Sequence, residues 1–506
     1  MPEMSKNKLY RFYEIAPGAM VWITFLGIIL LSYKKPLWAI MLIIAFDFYW
    51  LIRVSYMLIW LLISWRRYRK EIKVNWFEKL KNLKKEECPN NLKNKNWEDY
   101  YHLIILPTLR ESFEIISACF DALIKAEYDP KKFIVVLTGE EIDSKNYWSI
   151  AKRIKETYEG KFFKLLTIIH KLMPGDLQGK GSNAHWAGKR AKEFIDERQI
   201  DYEKVIVSNF DVDTCVHPQY YAYLTYKFLT NTNPLHHSYQ PVALYNNNIW
   251  ESPFLMRVVY NSTTFWLLTD LARPERLFTF SSHSMPFQAL VDVGFWQRDI
   301  VTEDSRIILQ CIARYDGDYS AEPMYIPLSM DTAYTGKFWN SLKNQYKQQR
   351  RWAYGVENFP YMMQFIWKNK RIKFSQKFSY LFNQLEGVYS WATAPIVIFL
   401  LGIFPLYFAN SAEKSTVLAQ NAPLVLKYLM NVAMIGLVFS AILSTILLPP
   451  RPKDHPRWKY IIMVLQWLVF PWCMIAFGSI PAADAQTRLM LGKYMGFNVT
   501  AKGRKE

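Results

Sequence analysis

Three short clusters on one polar stretch of the chain carry groups able to do chemistry. The first is Asp211-Val212-Asp213, which follows an apolar run at 205–207. In an extended turn alternate residues point the same way, so two carboxylates can face one cation. Mg2+ or Mn2+ suits such a site, taking hard oxygens from one or two carboxylates and the rest from phosphate and water. A lone Asp-x-Asp is otherwise a solvated turn. The second cluster, Thr302-Glu303-Asp304, precedes a stretch with helical spacing. These residues can cap that helix and favour its dipole, or a carboxylate there can take a proton from an attacking hydroxyl. The third is Gln348-Gln349-Arg350-Arg351-Trp352. Guanidinium groups grip diphosphate oxygens, and the indole offers an apolar face to a pyranose ring. An interfacial helix with arginines at lipid headgroups explains the same residues, and a site at a membrane surface uses both properties. In this order the clusters read as a site for moving a sugar off a nucleotide.

A Gly-flanked lysine, Gly179-Lys180-Gly181-Ser182-Asn183, opens a further helix. Backbone amides at a helix N-terminus suit phosphate, although one residue between the glycines is too few for a P-loop. His185, His217, His236, His237 and His283 show no metal-ligand spacing, and His236-His237 reads as a surface pair.

The elements that must position these groups begin near residue 101. Short β-type runs at 103–107, 133–137, 162–169 and 204–209 alternate with helical stretches at 111–126, 148–158 and 183–199. Such alternation implies a parallel sheet covered by helices. Ligands on such sheets sit beyond the carboxyl ends of the strands. Pro107-Thr108, Thr138-Gly139-Glu140 and Asp211 all fall at such ends.

Of the 506 residues, 51% are apolar, and the apolar excess is concentrated toward the two ends of the chain. The formal charge of +18 is not a nucleic-acid footprint. Basic residues follow one apolar stretch (Arg66, Arg67, Arg69, Lys70, Lys73) and precede another (Lys368, Lys370, Arg371, Lys373), as cytoplasmic membrane flanks do. Cys88, Cys119, Cys215, Cys311 and Cys473 lie far apart, which fits a reducing compartment. Apolar stretches at 16–32 and 37–65 read as a helical hairpin rather than a cleaved signal. Asp47 and Arg53 lie within it, and Arg53 reads first as an interhelix polar contact. Three more apolar stretches follow at 380–408, 424–448 and 460–480. The loop at 451–459 and the tail beyond Arg488 are both basic and belong on one side, which three simple crossings do not allow. Pro471 and Pro481 permit a re-entrant last segment. The expected organisation is two transmembrane helices (1–65), a polar linker (66–100), a catalytic domain (101–335), amphipathic interfacial helices (336–375), C-terminal transmembrane helices (376–485) and a basic tail (486–506).

Clusters, order and flanking spans together resemble the membrane-embedded family 2 glycosyltransferases, the group of cellulose, chitin, hyaluronan and poly-N-acetylglucosamine synthases. The resemblance implies an α/β GT-A-type cytoplasmic domain, a mixed and mostly parallel sheet covered by helices, inserted between N- and C-terminal transmembrane helices. It implies that Thr108 and Glu111 meet the nucleoside, with Leu109 where an aromatic is common, and that Glu140 substitutes for a strand-end aspartate. Lys180 and Asn183 would contact the nucleotide, and Asp211 and Asp213 would hold metal and diphosphate. Asp304 would be the base, with Glu303 beside it. Gln348, Arg351 and Trp352 match a signature associated with processive synthesis. Residues 281–285 lie where the family contacts its acceptor.

The implied reaction is inverting. A UDP-sugar with Mg2+ or Mn2+ would build a β-linked polysaccharide on a glycan or lipid-linked acceptor, among membrane lipids and without nucleic acid. The implied place is the cell (inner) membrane, with Trp391 and Trp467 as candidate channel-lining residues. Two alternatives are transfer of one sugar to a lipid or lipid-linked acceptor, and a scaffold that binds a nucleotide-sugar without turnover.

Overall fold

The computed structural model describes residues 8–89 and 96–496. The expectations for residues 1–7, for 90–95 of the linker and for 497–506 of the basic tail lie outside the described residues.

Among the described residues eight strands form one sheet: β1 (Tyr101–Pro107), β2 (Phe133–Glu140), β3 (Lys164–His170), β4 (Val205–Asn209), β5 (Cys215–Val216), β6 (His237–Leu244), β7 (His283–Pro286) and β8 (Ser320–Ser329). Their order is β3-β2-β1-β4-β7-β6-β8-β5. β3, β2, β1 and β4 run parallel. β7 is antiparallel to both β4 and β6, and β6 pairs with β8 in parallel. The sheet is therefore mixed and mostly parallel, the GT-A-type arrangement expected.

The near-continuous apolar runs of β1, β2 and β4 follow from burial on both faces. Leu103, Ile105, Ile134, Val136, Val205 and Val207 pack toward Ala184, Ala187 and Ala191 of the Lys180–Glu197 helix. Ile104, Leu106, Val135, Leu137 and Ile206 meet Phe120, Ile150 and Tyr221 on the other face. The period-2 alternation of a strand divides the residues between the two cores. Because β1, β2 and β4 are parallel, their carboxyl ends open on one edge, at Thr108, Glu140 and Asp211.

Among the described residues five helices are long and apolar enough to cross a membrane: Lys8–Lys34, Pro36–Glu71, Phe374–Leu401, Val417–Ile446 and Lys459–Met490. Arg53 pairs with Glu386 of the third, which also accepts from Tyr49 at 2.9 Å, so this half-buried charge is an interhelix contact. After Glu71 a short helix, Trp76–Lys81, buries Trp76 and stacks it on Tyr223, ring centroids 4.0 Å apart.

The last apolar segment is interrupted by a 3₁₀ turn at Gln466–Val469 and a π turn at Met474–Ser479. Its start lies by the catalytic domain, where the Lys459 ammonium donates to the Trp250 carbonyl at 3.5 Å. Its end lies against the Phe338–Ala353 helix and the start of the first apolar helix: Arg350 bonds Asp484 at 2.8 Å, and Arg11 donates to the Leu489 carbonyl at 2.8 Å. Trp467 is buried against Phe265 and donates to the Ser444 hydroxyl at 3.0 Å, a packing role rather than a channel-lining one.

Candidate active site

β1 ends at Pro107, and the chain turns through Arg110, whose φ of 69° lies in the left-handed region. The Thr108 N–H donates to the Thr138 carbonyl at 2.8 Å, tying this turn to β2. Glu111 accepts from the Thr108 hydroxyl (2.8 Å) and the Leu109 N–H (2.6 Å), so its carboxylate braces the loop. Asn183 accepts from the Thr138 hydroxyl at 2.5 Å and donates to the Thr138 carbonyl at 3.2 Å. Both ends of its amide thus pin the helix start to β2. Glu140 is buried, and burial pushes its carboxyl above the usual carboxylate range. It lines a cavity of about 240 Å³ with His170, Leu172 and Gln178.

A second group gathers around Lys180, which is 9% exposed. Its ammonium lies 2.9 Å from Asp211 Oδ1, 3.0 Å from each carboxylate oxygen of Asp304 and 3.7 Å from Glu303 Oε1. Burial alone would push its pKa down, but the three carboxylates outweigh that and hold it above the ordinary lysine value. Gly181 allows the approach, because a Cβ there would stand 3.2 Å from the Glu303 Cβ and 3.1 Å from the Gln297 carbonyl oxygen.

Asp211 also accepts from the Ser281 hydroxyl at 2.7 Å, and its N–H donates to the Ser282 hydroxyl at 3.2 Å. Asp213, fully buried, accepts the Asp331 N–H at 2.7 Å. Different partners therefore hold the two carboxylates of the Asp-x-Asp.

Asp304 and Glu303 open the Glu303–Arg314 helix. Thr302 stands at its N-cap position, yet its hydroxyl makes no cap and donates instead to Glu357 at 2.7 Å. Glu357 also accepts the N–H groups of Val301 and Thr302, at 3.2 and 3.1 Å. Arg306 is fully buried and donates to Asn358 Oδ1 (2.7 Å) and the Glu357 carbonyl (2.9 Å). The segment after the Phe338–Ala353 helix thus fixes the start of the helix that carries Asp304. Burial first, then the Asp304 charge, raise the Glu303 carboxyl well above the usual range, against Lys180 and Arg351.

On the Phe338–Ala353 helix Gln348 accepts from the Tyr260 hydroxyl at 2.7 Å, and that hydroxyl accepts the Ala333 N–H at 2.6 Å. Trp352 is half-buried against Tyr245 and Phe280, ring centroids 5.8 Å away in each case. Arg351 stands close enough for its charge to act on Glu303, whereas Arg350 turns to Asp484 in the last apolar segment. His185 and His283 are buried and bonded to the carbonyls of Trp296 and Phe280. His236 and His237 are half-buried rather than a surface pair, one on Asp318 at 2.8 Å and the other on the Asn233 carbonyl at 2.7 Å.

The carboxyl edge of a mixed sheet thus holds Asp211, Lys180, Glu303 and Asp304 together, with Arg351 acting on Glu303. Residues 206–481, more than half of the chain, match the family described as Glycosyl transferase family group 2. The chain belongs to this family. Its activity class is therefore glycosyl transfer from a nucleotide-sugar, on a GT-A-type fold. No curated protein matches the chain. Similar solved structures include a mannosyltransferase from Pyrobaculum calidifontis in complex with GDP-Man and Mn2+, with 13% identity, a TM-score of 0.41, and 76% of this chain and 97% of that one covered. Residues 1–349 of S. aureus TarS also match at 13% identity and a TM-score of 0.36, covering 68% and 90% of the two chains.

Reasoning from sequence missed Glu357, Tyr260 and the two serines as supports of this glycosyl transferase's site. A lone glutamate in the aromatic-rich stretch 352–361 is the one signal Glu357 left. Ser281 and Ser282, expected near an acceptor, both bond Asp211.

Proposed function

We propose that this glycosyl transferase is an inverting enzyme that takes a UDP-sugar and builds a β-linked polysaccharide on a glycan or lipid-linked acceptor at the membrane. The observation that carries the reading is the meeting of Asp211, Lys180 and Asp304 at one sheet edge, with Arg351 of the Gln348–Trp352 motif acting on the adjacent Glu303. Asp304, 22% exposed at its side chain, is the base. It accepts the proton of an acceptor hydroxyl as that oxygen attacks the anomeric carbon. The bond from that carbon to the diphosphate breaks on the opposite side, inverting an α-linked donor to a β-linked product. Arg351 stabilises the departing diphosphate, and Trp352 gives the sugar an apolar face. Glu303, its carboxyl raised by burial and by the Asp304 charge, stands beside Asp304.

The residues fit a divalent cation. Among the described residues no three His, Cys, Asp or Glu side chains form a metal cage, and Mg2+ or Mn2+ in phosphate chemistry takes much of its shell from phosphate and water. The Lys180 ammonium among three carboxylates marks the place as cation-binding. Asp211 with Asp213 would hold Mg2+ or Mn2+, which when bound supplies positive charge to the leaving diphosphate.

Four crossing helices and a re-entrant last segment would put the domain and the basic loop at 451–459 on the cytoplasmic face of the cell (inner) membrane. The test is UDP release by nanodisc-embedded protein across a panel of UDP-sugars with Mg2+ or Mn2+, with Asp304→Asn as control. A metal-dependent signal with one sugar, absent in the control, is expected, and sizing the product then tests for a polymer. Release from the control equal to wild type would remove Asp304 from its role. Silence across the panel in protein that still binds UDP would overturn the assigned donor.

A further inference from the structure

We propose that Lys180 is a built-in cation that closes the site while no donor is bound, and that it gives up Asp211 and Asp304 when metal and diphosphate arrive. The proposal rests on the transferase reading above. An ammonium has three N–H donors and no acceptor. Here three carboxylate oxygens stand within 3.0 Å of it, Asp211 Oδ1 and both oxygens of Asp304. Two roles that the site needs are blocked by this arrangement. Lys180 has no N–H left for a diphosphate oxygen, and both oxygens of Asp304 already accept from Lys180, so an acceptor hydroxyl must compete with the ammonium for them. The closed arrangement and the reactive one are therefore mutually exclusive, and the site must exchange one cation for another.

Electrostatics favours the exchange only when the donor comes too. Asp211, Glu303 and Asp304 set three carboxylates against one ammonium within 3.7 Å of it. A divalent ion alone would have to displace a buried +1 charge from Asp211 with nothing to replace that partner, which is unfavourable. A nucleoside diphosphate offers the ammonium new anionic oxygens, so metal and donor together can move it. Lys180 is the first residue of its helix and follows Gly179, at φ 148°, so its side chain leaves from the helix N-terminus, an end that suits phosphate.

The consequence is coupling. Metal should bind weakly to the donor-free protein and tightly with UDP, and Lys180 should be the reason. The experiment is Mn2+ binding to full-length protein in nanodiscs, read from the EPR signal of free Mn2+, with and without UDP. Lys180→Met should bind Mn2+ without UDP about tenfold or more tighter than wild type, and UDP should add correspondingly less. Because Lys180→Met leaves buried carboxylates without their cation, a second pair guards against misfolding. Lys180→Met/Asp304→Asn removes one charge of each sign and should bind Mn2+ at least about tenfold tighter than Asp304→Asn alone. Equal donor-free Mn2+ affinity within both pairs, in proteins that all bind Mn2+ with UDP, would overturn the proposal and leave the transferase reading standing. Wild-type protein that takes up Mn2+ neither alone nor with UDP would overturn the metal assignment and the proposal with it.

Discussion

Two corners of the same sheet edge are built in opposite ways. The corner at Thr108, Thr138 and Asn183 is buried and held by short hydrogen bonds between neighbouring parts of the parallel β1–β3 half-sheet. The corner around Lys180 is charged, and its members come from residues 180, 211, 281, 303, 304 and 351, each on a different stretch of chain apart from the adjacent pair. The first corner is neutral and tied together by its own hydrogen bonds. The second balances charge against charge, so a ligand with charge of its own can rearrange it.

The largest expected effect breaks the charged corner. Asp304→Asn should lower turnover by at least about a hundredfold, the scale of a lost general base, while UDP affinity changes by less than about threefold. Turnover and calorimetric UDP binding measured side by side decide it. Next is the support behind that corner. Glu357→Gln weakens charge-assisted bonds to Val301 and Thr302, so kcat should fall about tenfold and KM much less. Faster hydrogen exchange confined to residues 300–306 would mark the cause as a loosened loop, and unchanged exchange there would sink it.

The neutral corner should answer differently. Asn183→Ala removes both bonds to Thr138 and should cost about 1–3 kcal/mol of stability, with kcat within about threefold of wild type. A kcat loss as large as that of Asp304→Asn would dissolve the distinction between the corners.

The smallest effect is a slope with pH. Glu303 has its folded carboxyl raised from an ordinary 4.5 by burial and by Asp304. The folded protein therefore holds that proton more tightly than the unfolded chain. The stability this provides is complete below the ordinary value and is lost as pH rises through the raised one. Glu303→Gln should flatten that decline, measured as the thermal midpoint in nanodiscs from pH 5 to pH 9.

Legibility followed the same division. The β1–β4 half of the sheet is written in apolar runs and helical stretches that any local window contains, and Asp211 could be placed at a strand end from those alone. The remainder of the sheet was not legible. β7 is a four-residue strand, His-Ser-Met-Pro, with no alternation to read, and β6 carries a bulge at Pro241/Val242. Thr302 was legible as an N-cap position but not in its bond to Glu357, which lies 55 residues away. Asp211 and Asp213 were legible as a pair, and their division between Lys180 and the Asp331 N–H was not.

By itself the sequence determined the strands and helices of the β1–β4 half and the stretches that could span a membrane, because those depend on periodicity and on length against a bilayer. It also supplied the acids, the bases and the order in which the chain presents them. Tertiary structure alone decided which of those groups share a charge. Coulomb attraction and burial depend on distance in space, and neighbours such as Lys180 and Asp304, 124 residues apart along the chain, meet only once the sheet and the helices on its carboxyl edge are packed.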